Sequence, residues 1–488
     1  MRKTKIICTI GPASQNKETL TAMCKAGMNV ARMNFSHGTY PEQQAKMDLV
    51  KEVRQELGLP IAIMLDTKGP EYRIRTFKDG KITLNEGDTF IFTTDEVEGD
   101  QTRVSVNYKK LTENLNVGDR ILVNNGLVVC EVTAIEGADI VTKVLNGGVL
   151  SDRKSMSFPN KVMSGPYLSE QDKQDLLFGI QSEVDFVAAS FVSSKSDMQE
   201  LRSFLNANGG GNIELIAKIE NRSGVDNIEE ICELADGVMI ARGDLGVELP
   251  AEVIPNTQRR IVEKCICAKR PVIIATQMLY SMVKSPRPTR AEVSDVASAI
   301  YERVDAVMLS DETAMGDYPV ESVETMARVA REIERDETHF KPMIDMDMVS
   351  VNHEITAQLA RSAVRASTNL PIKYVVLDTK TGRTGRYLAA FRGQKTVMAV
   401  CYQLHAQRIL ALSYGVVPIL RNQELKDRYH FLIDALEVIE QHQKLDGQDL
   451  LAIVGGSFGP DGGASYVEIA NVLNIRRRNE EIVAAQKS

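Results

Sequence analysis

Short apolar runs alternate with amphipathic stretches through the first two thirds of the chain. The runs are Thr4–Gly11, Asn29–Ser36, Ile61–Thr67, Asp185–Phe191, Ile213–Glu220, Gly237–Gly246, Pro271–Met278 and Asp305–Glu312. The amphipathic stretches include Lys17–Ala26, Tyr40–Leu57, Ser196–Asn206, Val225–Leu234 and Asn256–Ala268. This alternation is typical of parallel strands that helices cover on both faces. Eight such units predict an α/β fold of the (β/α)₈ or TIM barrel type.

The alternation is interrupted once, between Asp66 and Leu168, where short alternating strands are separated by turn signals. The turns are Asp79-Gly80, Glu86-Gly87-Asp88, Val117-Gly118-Asp119, Asn124-Asn125-Gly126 and Asn146-Gly147-Gly148. We expect a small β-barrel domain here, residues 70–167, inserted into a catalytic barrel of residues 1–69 and 168–341. Because it follows the third strand at the barrel mouth, the insertion is well placed to close over a substrate as a lid.

A third pattern begins after about Lys341. An alanine-rich helix, Ile355–Ala366, precedes a further set of strand-like runs. These runs are Lys373–Thr379, Lys395–Cys401, Val416–Leu420 and Asp449–Gly456. The pattern predicts a separate C-terminal α/β domain, residues 342–488, with an open and mostly parallel sheet.

Composition limits the functions that the chain can have. It has 488 residues and a net charge of -8, which argues against non-specific binding to nucleic acid or anionic membranes. No apolar run approaches the roughly 18 residues of a membrane span. The N-terminus leads directly into the first apolar run, which predicts no signal peptide. Seven scattered cysteines without metal-ligand spacing indicate reduced thiols, so we expect a cytoplasmic enzyme.

The fifth run ends in a lysine and a carboxylate two residues apart. Because side chains alternate along a strand, Lys218 and Glu220 point to the same face. Asp244 follows at the end of the next run. A cation beside two carboxylates suits metal-assisted chemistry on an anionic substrate. The alternatives are an ordinary ion pair at a strand end and, for Asp244, a simple helix N-cap.

Polar side chains end every apolar run after the first. They are Arg32, Asn34, Ser36, Asp66, Thr67, Ser190, Lys218, Glu220, Asp244, Thr276, Gln277 and Ser310. In a (β/α)₈ barrel the carboxyl ends of the strands meet at one mouth, where active sites form. Any one of these residues could simply mark a strand end, but a chemically coherent set predicts an active site.

Several longer motifs in a fixed order resemble the pyruvate kinase family, in particular its allosterically regulated bacterial members. The motifs are Ala31-Arg32-Met33-Asn34-Phe35-Ser36-His37-Gly38, Leu65-Asp66-Thr67-Lys68-Gly69-Pro70-Glu71, Lys218-Ile219-Glu220-Asn221, Ala241–Glu248, Ala275-Thr276-Gln277-Met278 and Pro286-Arg287-Pro288-Thr289-Arg290-Ala291-Glu292. The resemblance covers nearly the whole chain. It implies phosphoryl transfer from phosphoenolpyruvate to ADP, giving pyruvate and ATP, by a glycolytic enzyme that is a homotetramer.

The resemblance also implies roles for individual residues. Lys218, Thr276 and Arg32 are the expected catalytic residues, with Thr276 assisting protonation of the enolate. Mg²⁺ or Mn²⁺ is expected on Glu220 and Asp244, whose carboxylate oxygens suit such hard cations. The expected substrate contacts are Arg32, Lys218, Gly243, Asp244, Thr276 and Ser190, although Ser190 could be only a strand-end hydroxyl. The expected nucleotide contacts are Asn34, His37 and Arg73, although His37 could be a surface residue.

A K⁺ requirement is a further expectation. Asn34, Ser36, Asp66 and Thr67 offer neutral oxygens and one carboxylate, a suitable cage for a large monovalent cation. Family members with lysine at the position of Glu71 can supply their own positive charge. An acidic residue there leaves that charge to be supplied by an ion.

The C-terminal domain carries a turn that suits a phosphate group. The turn consists of Thr379, Lys380, Thr381, Gly382, Arg383 and Thr384, and it precedes a helix expected to begin near Gly385. It resembles the effector loop of allosteric pyruvate kinases; the alternative is an ordinary glycine turn. The later loop 457–465 has no lysine or arginine for a second phosphate, which favours a sugar or nucleoside monophosphate effector over fructose 1,6-bisphosphate.

Four segments depart from the family pattern. Asn124-Asn125-Gly126 stands where two aspartates and a glycine are usual, and Asp311 replaces a small residue. Ser193 stands where an arginine often follows Ser-Phe-Val in the family. Residues 154–160 match the lid hinge of the family only loosely. None of these changes Lys218, Glu220, Asp244 or Thr276, so we expect activity with altered lid behaviour.

Two other functions remain open at this level. Lys218 could be the Schiff-base lysine of a barrel aldolase, although the adjacent carboxylates favour a charged ammonium over the neutral amine that this needs. The chain could also be a non-catalytic sensor of sugar phosphates that uses its C-terminal domain.

Overall fold

The barrel domain begins with two strand–helix units and a third strand. The computed structural model of the protein describes residues 1–161, 163–336, 346–350, 354–421, 428–456 and 463–487. The first elements are β1 (Lys5–Thr9), α1 (Lys17–Ala26), β2 (Val30–Asn34), α2 (Tyr40–Leu57) and β3 (Ala62–Asp66). Helix α1 begins after Asn16, whose side chain accepts a hydrogen bond from the Thr19 amide. Every residue of β1 and β3 is buried, as expected of strands covered on both faces.

Strand β3 leads into the inserted β domain. Its elements are β4 (Tyr72–Arg73), β5 (Lys81–Leu84), β6 (Thr89–Thr93), β7 (Arg103–Ser105), α3 (Leu111–Asn114), β8 (Arg120–Val123), β9 (Val128–Glu136), β10 (Asp139–Asn146), β11 (Gly148–Ser151) and β12 (Ser155–Ser157). Among the described residues, seven strands form one sheet in the order β4-β12-β8-β9-β10-β6-β7, and β11 pairs with β5. Phe90 and Phe92, in edge-to-face contact, are fully buried in a core separate from that of the barrel.

The chain then returns to complete the barrel. The elements are α4 (Glu170–Gln181), β13 (Phe186–Ala189), α5 (Lys195–Ala207), β14 (Glu214–Ile219), α6 (Arg222–Asp226), α7 (Ile228–Leu234), β15 (Gly237–Ala241), α8 (Arg242–Glu248), α9 (Ile254–Cys267), β16 (Val272–Ala275), α10 (Arg290–Tyr301), β17 (Ala306–Leu309), α11 (Asp311–Ala314) and α12 (Pro319–Arg335). The parallel strands close in the order β1-β17-β16-β15-β14-β13-β3-β2, and Lys5 of β1 pairs with Ala306 of β17. The predicted (β/α)₈ barrel is therefore confirmed.

The C-terminal domain has an open sheet. Its elements are α13 (Ile355–Asn369), β18 (Ile372–Thr379), α14 (Arg383–Ala390), β19 (Thr396–Cys401), α15 (Leu404–Leu410), β20 (Val416–Leu420), α16 (Arg428–His442), β21 (Leu450–Gly456), β22 (Ala464–Asn471) and α17 (Val472–Lys487). As far as the chain is described, the strand order is β20-β19-β18-β21-β22, and only β22 is antiparallel to its neighbour. The predicted α/β domain is confirmed, although β22 was not predicted. The residue limits assigned to the three domains stay predictions.

A buried carboxylate joins the barrel to the C-terminal domain. Asp305, just before β17, accepts hydrogen bonds from the backbone amides of Val272 and Tyr414, at 3.0 and 2.9 Å. Both of its oxygens also accept from the guanidinium of Arg392, which follows α14. The side chains of Asp305 and Arg392 are 2% and 6% exposed. One ion pair thus links two barrel strands to the neighbouring domain in a poorly hydrated environment.

The described part of the chain contains no helix that is long and apolar enough to cross a membrane. All seven cysteines carry free thiols, and all but Cys267 are buried.

Candidate active site at the barrel mouth

Lys218 lies near the end of β14 in a polar cluster. Its ammonium nitrogen lies 2.6 Å from the hydroxyl of Ser190, 3.0 Å from Oδ1 of Asp66 and 3.1 Å from Oε1 of Glu220. Burial lowers the pKa of the Lys218 ammonium, but the charges of Asp66 and Glu220 outweigh burial and hold its pKa above its usual value. The side chain is therefore a cation at neutral pH, which disfavours its use as a Schiff-base nucleophile.

Asp66, at the end of β3, connects Lys218 to Arg32. Its Oδ2 accepts a hydrogen bond of 2.6 Å from Nε of Arg32, whose Nη1 donates to the Thr9 hydroxyl at 2.8 Å. Burial would raise the pKa of Asp66, but Arg32 and Lys218 hold it below its ordinary value. The carboxylate is therefore ionised and fixes two cationic side chains at the mouth.

Glu220 and Asp244 are the two candidate metal-binding carboxylates, and the Lys218 ammonium lies beside Glu220. Burial, together with the nearby charges of Asp244 and Asp66, raises the pKa of Glu220 to about 7 against the lowering effects of Lys218 and of the Phe191 amide. Asp244 is exposed in the first turn of α8. Within the described residues, no group of three or more His, Cys, Asp or Glu side chains is arranged to hold a metal. The pair fits a divalent cation that keeps several coordination positions for substrate oxygens.

Thr276 lies in a strained turn immediately after β16. Its φ is 67° and that of Gln277 is 55°, in the left-handed region that a β-branched residue rarely adopts. The Thr276 hydroxyl donates to the carbonyl of Ala275 at 2.6 Å and accepts from the amide of Gly243 at 2.8 Å. These bonds tie the end of β16 to the start of α8, which carries Asp244.

A cavity of about 500 Å³ opens between the barrel mouth and the inserted domain. Of the predicted site residues, Glu220 and Asp244 line it from the barrel side and Arg73 lines it from β4. Tyr72 and Tyr108 lie on the wall of the inserted domain, with ring centroids 5.0 Å apart. The two candidate metal ligands therefore face the same space as one candidate phosphate-binding arginine.

The residues predicted to bind K⁺ come from neighbouring strand ends. Asn34 pairs in register with Asp66, and Thr67 directly follows β3. The amide of Ser36 donates to Oδ1 of Asn34 at 3.1 Å. His37, predicted to contact nucleotide, is exposed in the turn beyond β2. The four oxygen-bearing side chains thus come from two adjacent strands.

The predicted effector turn joins β18 to α14. The Thr379 hydroxyl accepts a hydrogen bond of 2.9 Å from the amide of Gly382, whose φ is 82°. The helix begins at Arg383 rather than near Gly385, so the Thr384 amide lies in its first turn. Arg383 donates to Glu354 at 2.7 Å, while Lys380 and Thr381 are exposed. Residues 457–462 of the later loop lie outside the described residues.

The departures from the family pattern have clear local environments. Asn124 and Asn125 both have a φ of 56° in the turn between β8 and β9, and Asn125 lines the cavity. Asp311 is the exposed first residue of α11, where a carboxylate favours the helix N-terminus. The Ser193 hydroxyl accepts from the Asn221 side chain at 3.0 Å. In the loosely matching segment, Ser155 donates to Asn125 at 3.1 Å.

Two residues of this region were not predicted from the sequence. Thr9 supports Arg32, and Tyr167 lines the cavity while its hydroxyl donates to the Ser190 carbonyl at 2.5 Å. Thr9 is the last residue of β1 and fits the strand-end pattern. Tyr167 stands in no motif, so only its contacts reveal it.

The chain matches the models of two domains of one protein family. Residues 1–323 match the pyruvate kinase barrel domain, and residues 357–470 match the pyruvate kinase alpha/beta domain. The chain is 42% identical over 484 residues to the pyruvate kinase of Bacillus licheniformis, covering 99% of this chain and 82% of that relative. It is 39% identical over 482 residues to the pyruvate kinase of Clostridium perfringens, covering 97% of this chain and 100% of that relative.

A solved structure shares the complete fold. The crystal structure of a pyruvate kinase from Cryptosporidium parvum matches with a TM-score of 0.91 and 34% identity over 96% of each chain. The family predicted from the motifs is thereby confirmed. The chain belongs to the pyruvate kinase family, whose members transfer a phosphoryl group from phosphoenolpyruvate to ADP in glycolysis.

Proposed function

We propose that the mouth of the barrel, closed by the inserted domain, is the site of this transfer in a Mg²⁺- and K⁺-dependent enzyme. The observation that carries the proposal is the placement of the Lys218 ammonium among Asp66, Ser190 and Glu220, the last of which lines the cavity between the barrel mouth and the inserted domain. The family is in general metal dependent, and the carboxylates of Glu220 and Asp244 suit Mg²⁺ or Mn²⁺.

The first half of the reaction is a displacement at phosphorus. The bond from phosphorus to the enol oxygen breaks, a bond to a terminal oxygen of ADP forms, and the electron pair remains on the enol oxygen. Lys218 and Arg32 offset the negative charge on the moving phosphoryl group, and Arg73 orients nucleotide phosphates with Asn34 and His37. A divalent metal on Glu220 and Asp244 would supply further positive charge.

The second half is protonation of the enolate at its methylene carbon. Thr276 lies in a fixed turn, and we assign it the support of this proton transfer through water. We assign the substrate carboxylate to the amides of Gly243 and Asp244 and to the Ser190 hydroxyl. To bind it, the Gly243 amide and the Ser190 hydroxyl would exchange their acceptors in this structure, the Thr276 hydroxyl and the Thr67 carbonyl. A coupled assay that follows pyruvate from phosphoenolpyruvate and ADP tests the reaction. If borohydride trapped a keto acid on Lys218, that result would instead support a Schiff-base aldolase.

We expect activity to depend on K⁺. Replacing K⁺ with tetramethylammonium should lower turnover by about tenfold or more, because the site loses a cation that Asn34, Ser36, Asp66 and Thr67 can hold. The Glu71 carboxylate accepts from Arg73 and lies 2.8 Å from Nζ of Lys68. Glu71→Lys should reduce the K⁺ requirement, which initial rates against K⁺ concentration measure.

The matched control for charge is Glu52→Lys on the exposed face of α2, which should leave the K⁺ dependence unchanged. Full activity of the wild-type enzyme without Na⁺ or K⁺ would contradict the proposal.

We further propose that the turn of Thr379, Lys380, Thr381, Gly382, Arg383 and Thr384 binds the phosphate of a monophosphate effector. The amides at the start of α14 and the threonine hydroxyls suit one phosphate group. Arg383 forms an ion pair with Glu354, so a bound phosphate would compete with that carboxylate for the guanidinium. Absence of lysine and arginine from the sequence of loop 457–465 disfavours a second phosphate.

We expect glucose 6-phosphate or AMP to lower the half-saturating concentration of phosphoenolpyruvate severalfold, and fructose 1,6-bisphosphate to have little effect. Combining Thr379→Ala with Thr384→Ala should abolish the activation, whereas Thr368→Ala, at the end of α13, should not. Rates over a phosphoenolpyruvate titration measure these effects. Activation by the bisphosphate alone would overturn the proposal, and so would activation that survives the double substitution.

The assembly and location that we propose rest on the family. A homotetramer in the cytoplasm fits a glycolytic enzyme with free thiols. Light scattering coupled to size-exclusion chromatography would test the tetramer, and a mass near 54.0 kDa, that of one chain, would reject it.

A further inference from the structure

Tyr167 lies where the chain returns from the inserted domain to the barrel. Its ring is buried, and its backbone amide donates to Oε2 of Glu200 at 2.8 Å. The next amide, that of Leu168, donates to the other oxygen of the same carboxylate at 3.1 Å. The backbone of Tyr167 is therefore fixed to α5 of the barrel, and its position does not depend on its hydroxyl.

The Tyr167 hydroxyl donates to the carbonyl of Ser190, at the peptide group that joins Ser190 to Phe191. The amide at the other end of this peptide, that of Phe191, donates to Oε2 of Glu220 at 2.7 Å. Phe191 has a φ of 58°, so the peptide is held in an orientation that a non-glycine residue rarely adopts. One peptide group thus has Tyr167 at its oxygen and the candidate metal ligand at its nitrogen.

The side chain of Ser190 also contacts Lys218. The hydroxyl of Ser190 lies 2.6 Å from Nζ of Lys218 and donates to the Thr67 carbonyl at 2.7 Å. Gly69, on the outgoing connection to the inserted domain, packs so closely here that a Cβ would lie 2.6 Å from the Ser190 carbonyl oxygen. Both connections to the inserted domain therefore meet at Ser190.

Toward the Ser190 carbonyl, which carries no hydrogen, the Tyr167 hydroxyl can act only as the donor. Burial raises the pKa of Tyr167 well above its ordinary value, and the surrounding carboxylates raise it further. The phenol thus remains protonated, and the Ser190 carbonyl is the partner that the structure gives it. A ring needed only for packing would not require this hydrogen bond.

We propose that Tyr167 is a positioning residue that orients the Ser190–Phe191 peptide and thereby holds Glu220 ready to bind the divalent cation. The inference rests on the proposed role of Glu220 as a metal ligand. Removing a single partner that orients a metal ligand typically lowers metal affinity 10- to 100-fold. The hydroxyl is expected to contribute near the lower end, because it acts through one peptide group.

The test measures Mn²⁺ binding to the full chain by electron paramagnetic resonance, without substrate. Tyr167→Phe keeps the ring and is expected to raise the Mn²⁺ dissociation constant about tenfold. At saturating metal, the KM for phosphoenolpyruvate should change less than threefold. Tyr40→Phe is the matched control, since the Tyr40 hydroxyl donates to Asp175 at 2.6 Å between α2 and α4 and should not affect Mn²⁺ affinity.

A further variant separates this inference from the proposed function. Glu220→Gln should lose most Mn²⁺ binding if Glu220 is a metal ligand. Loss in Glu220→Gln with wild-type affinity in Tyr167→Phe would overturn the role of Tyr167 alone. Wild-type affinity in Glu220→Gln would overturn the metal site itself. Equal loss of affinity in Tyr167→Phe and Tyr40→Phe would show a general packing effect and would also overturn the inference.

Discussion

Lys218→Met is expected to lower the turnover number by about 10³-fold. Methionine keeps much of the side-chain volume but removes the cation that offsets charge on the moving phosphoryl group, a loss comparable with removing a preorganised donor. It also leaves the buried carboxylates of Asp66 and Glu220 without their shared partner. Steady-state rates of pyruvate formation at saturating phosphoenolpyruvate, ADP and metal measure the effect.

The second half of the reaction offers an internal control. Exchange of the methyl protons of pyruvate with solvent depends on the enolate step, and should persist in Lys218→Met because Thr276 remains. Lys17→Met, which removes an exposed lysine on α1, should have wild-type rates in both assays. If Lys218→Met forms pyruvate within a few-fold of the wild-type rate, Lys218 has been assigned the wrong role.

Asp305→Ala is expected to lower the free energy of unfolding by about 3–5 kcal/mol, the usual cost of leaving one member of a buried ion pair without its partner. The loss leaves the Arg392 guanidinium and the amides of Val272 and Tyr414 without their acceptor. Since the protein has several domains, thermal unfolding is best followed by calorimetry, which resolves separate transitions. The transition of the barrel and that of the C-terminal domain should both move to lower temperature.

Two comparisons make this expectation specific to the buried charge. Asp317→Ala removes a carboxylate from an exposed pair with Lys284 and should change stability by less than about 0.5 kcal/mol. Replacing both partners, as Asp305→Leu with Arg392→Met, should recover part of the loss because no unpaired charge remains buried. An equal loss in Asp305→Ala and Asp317→Ala would show that burial of the pair is not the cause.

The barrel could be predicted because its pattern is local. Each strand is a short apolar run followed by polar residues, and α1 and α2 have the predicted bounds. The predicted runs extend beyond the ends of the observed strands. For example, the run Gly237–Gly246 contains both β15 and the start of α8. Strand β22 was missed because its residues are mostly half-buried at a sheet edge, which leaves little apolar alternation.

The candidate site could be predicted only in part. Alternation along β14 suffices to place Lys218 beside Glu220, since that contact lies within one segment. The contact of Lys218 with Asp66 joins residues 152 positions apart, and it depends on the order and register of β3, β13 and β14. The contribution of Tyr167 was missed for the same reason, because a single tyrosine has no periodicity and its partner Ser190 lies on another element.

Closure of the barrel by β1 and β17 has a consequence for synthesis of the chain on the ribosome. The residue that pairs with Lys5 is Ala306, about 300 positions later. At 5–20 residues per second, translation of that interval takes roughly 15 to 60 s. Throughout this time one edge of β1, a strand whose residues are all buried in the finished barrel, has no pairing partner. The nascent chain therefore carries an open strand edge that invites aggregation, and chaperone binding to the emerging N-terminal half would have its greatest effect during this interval.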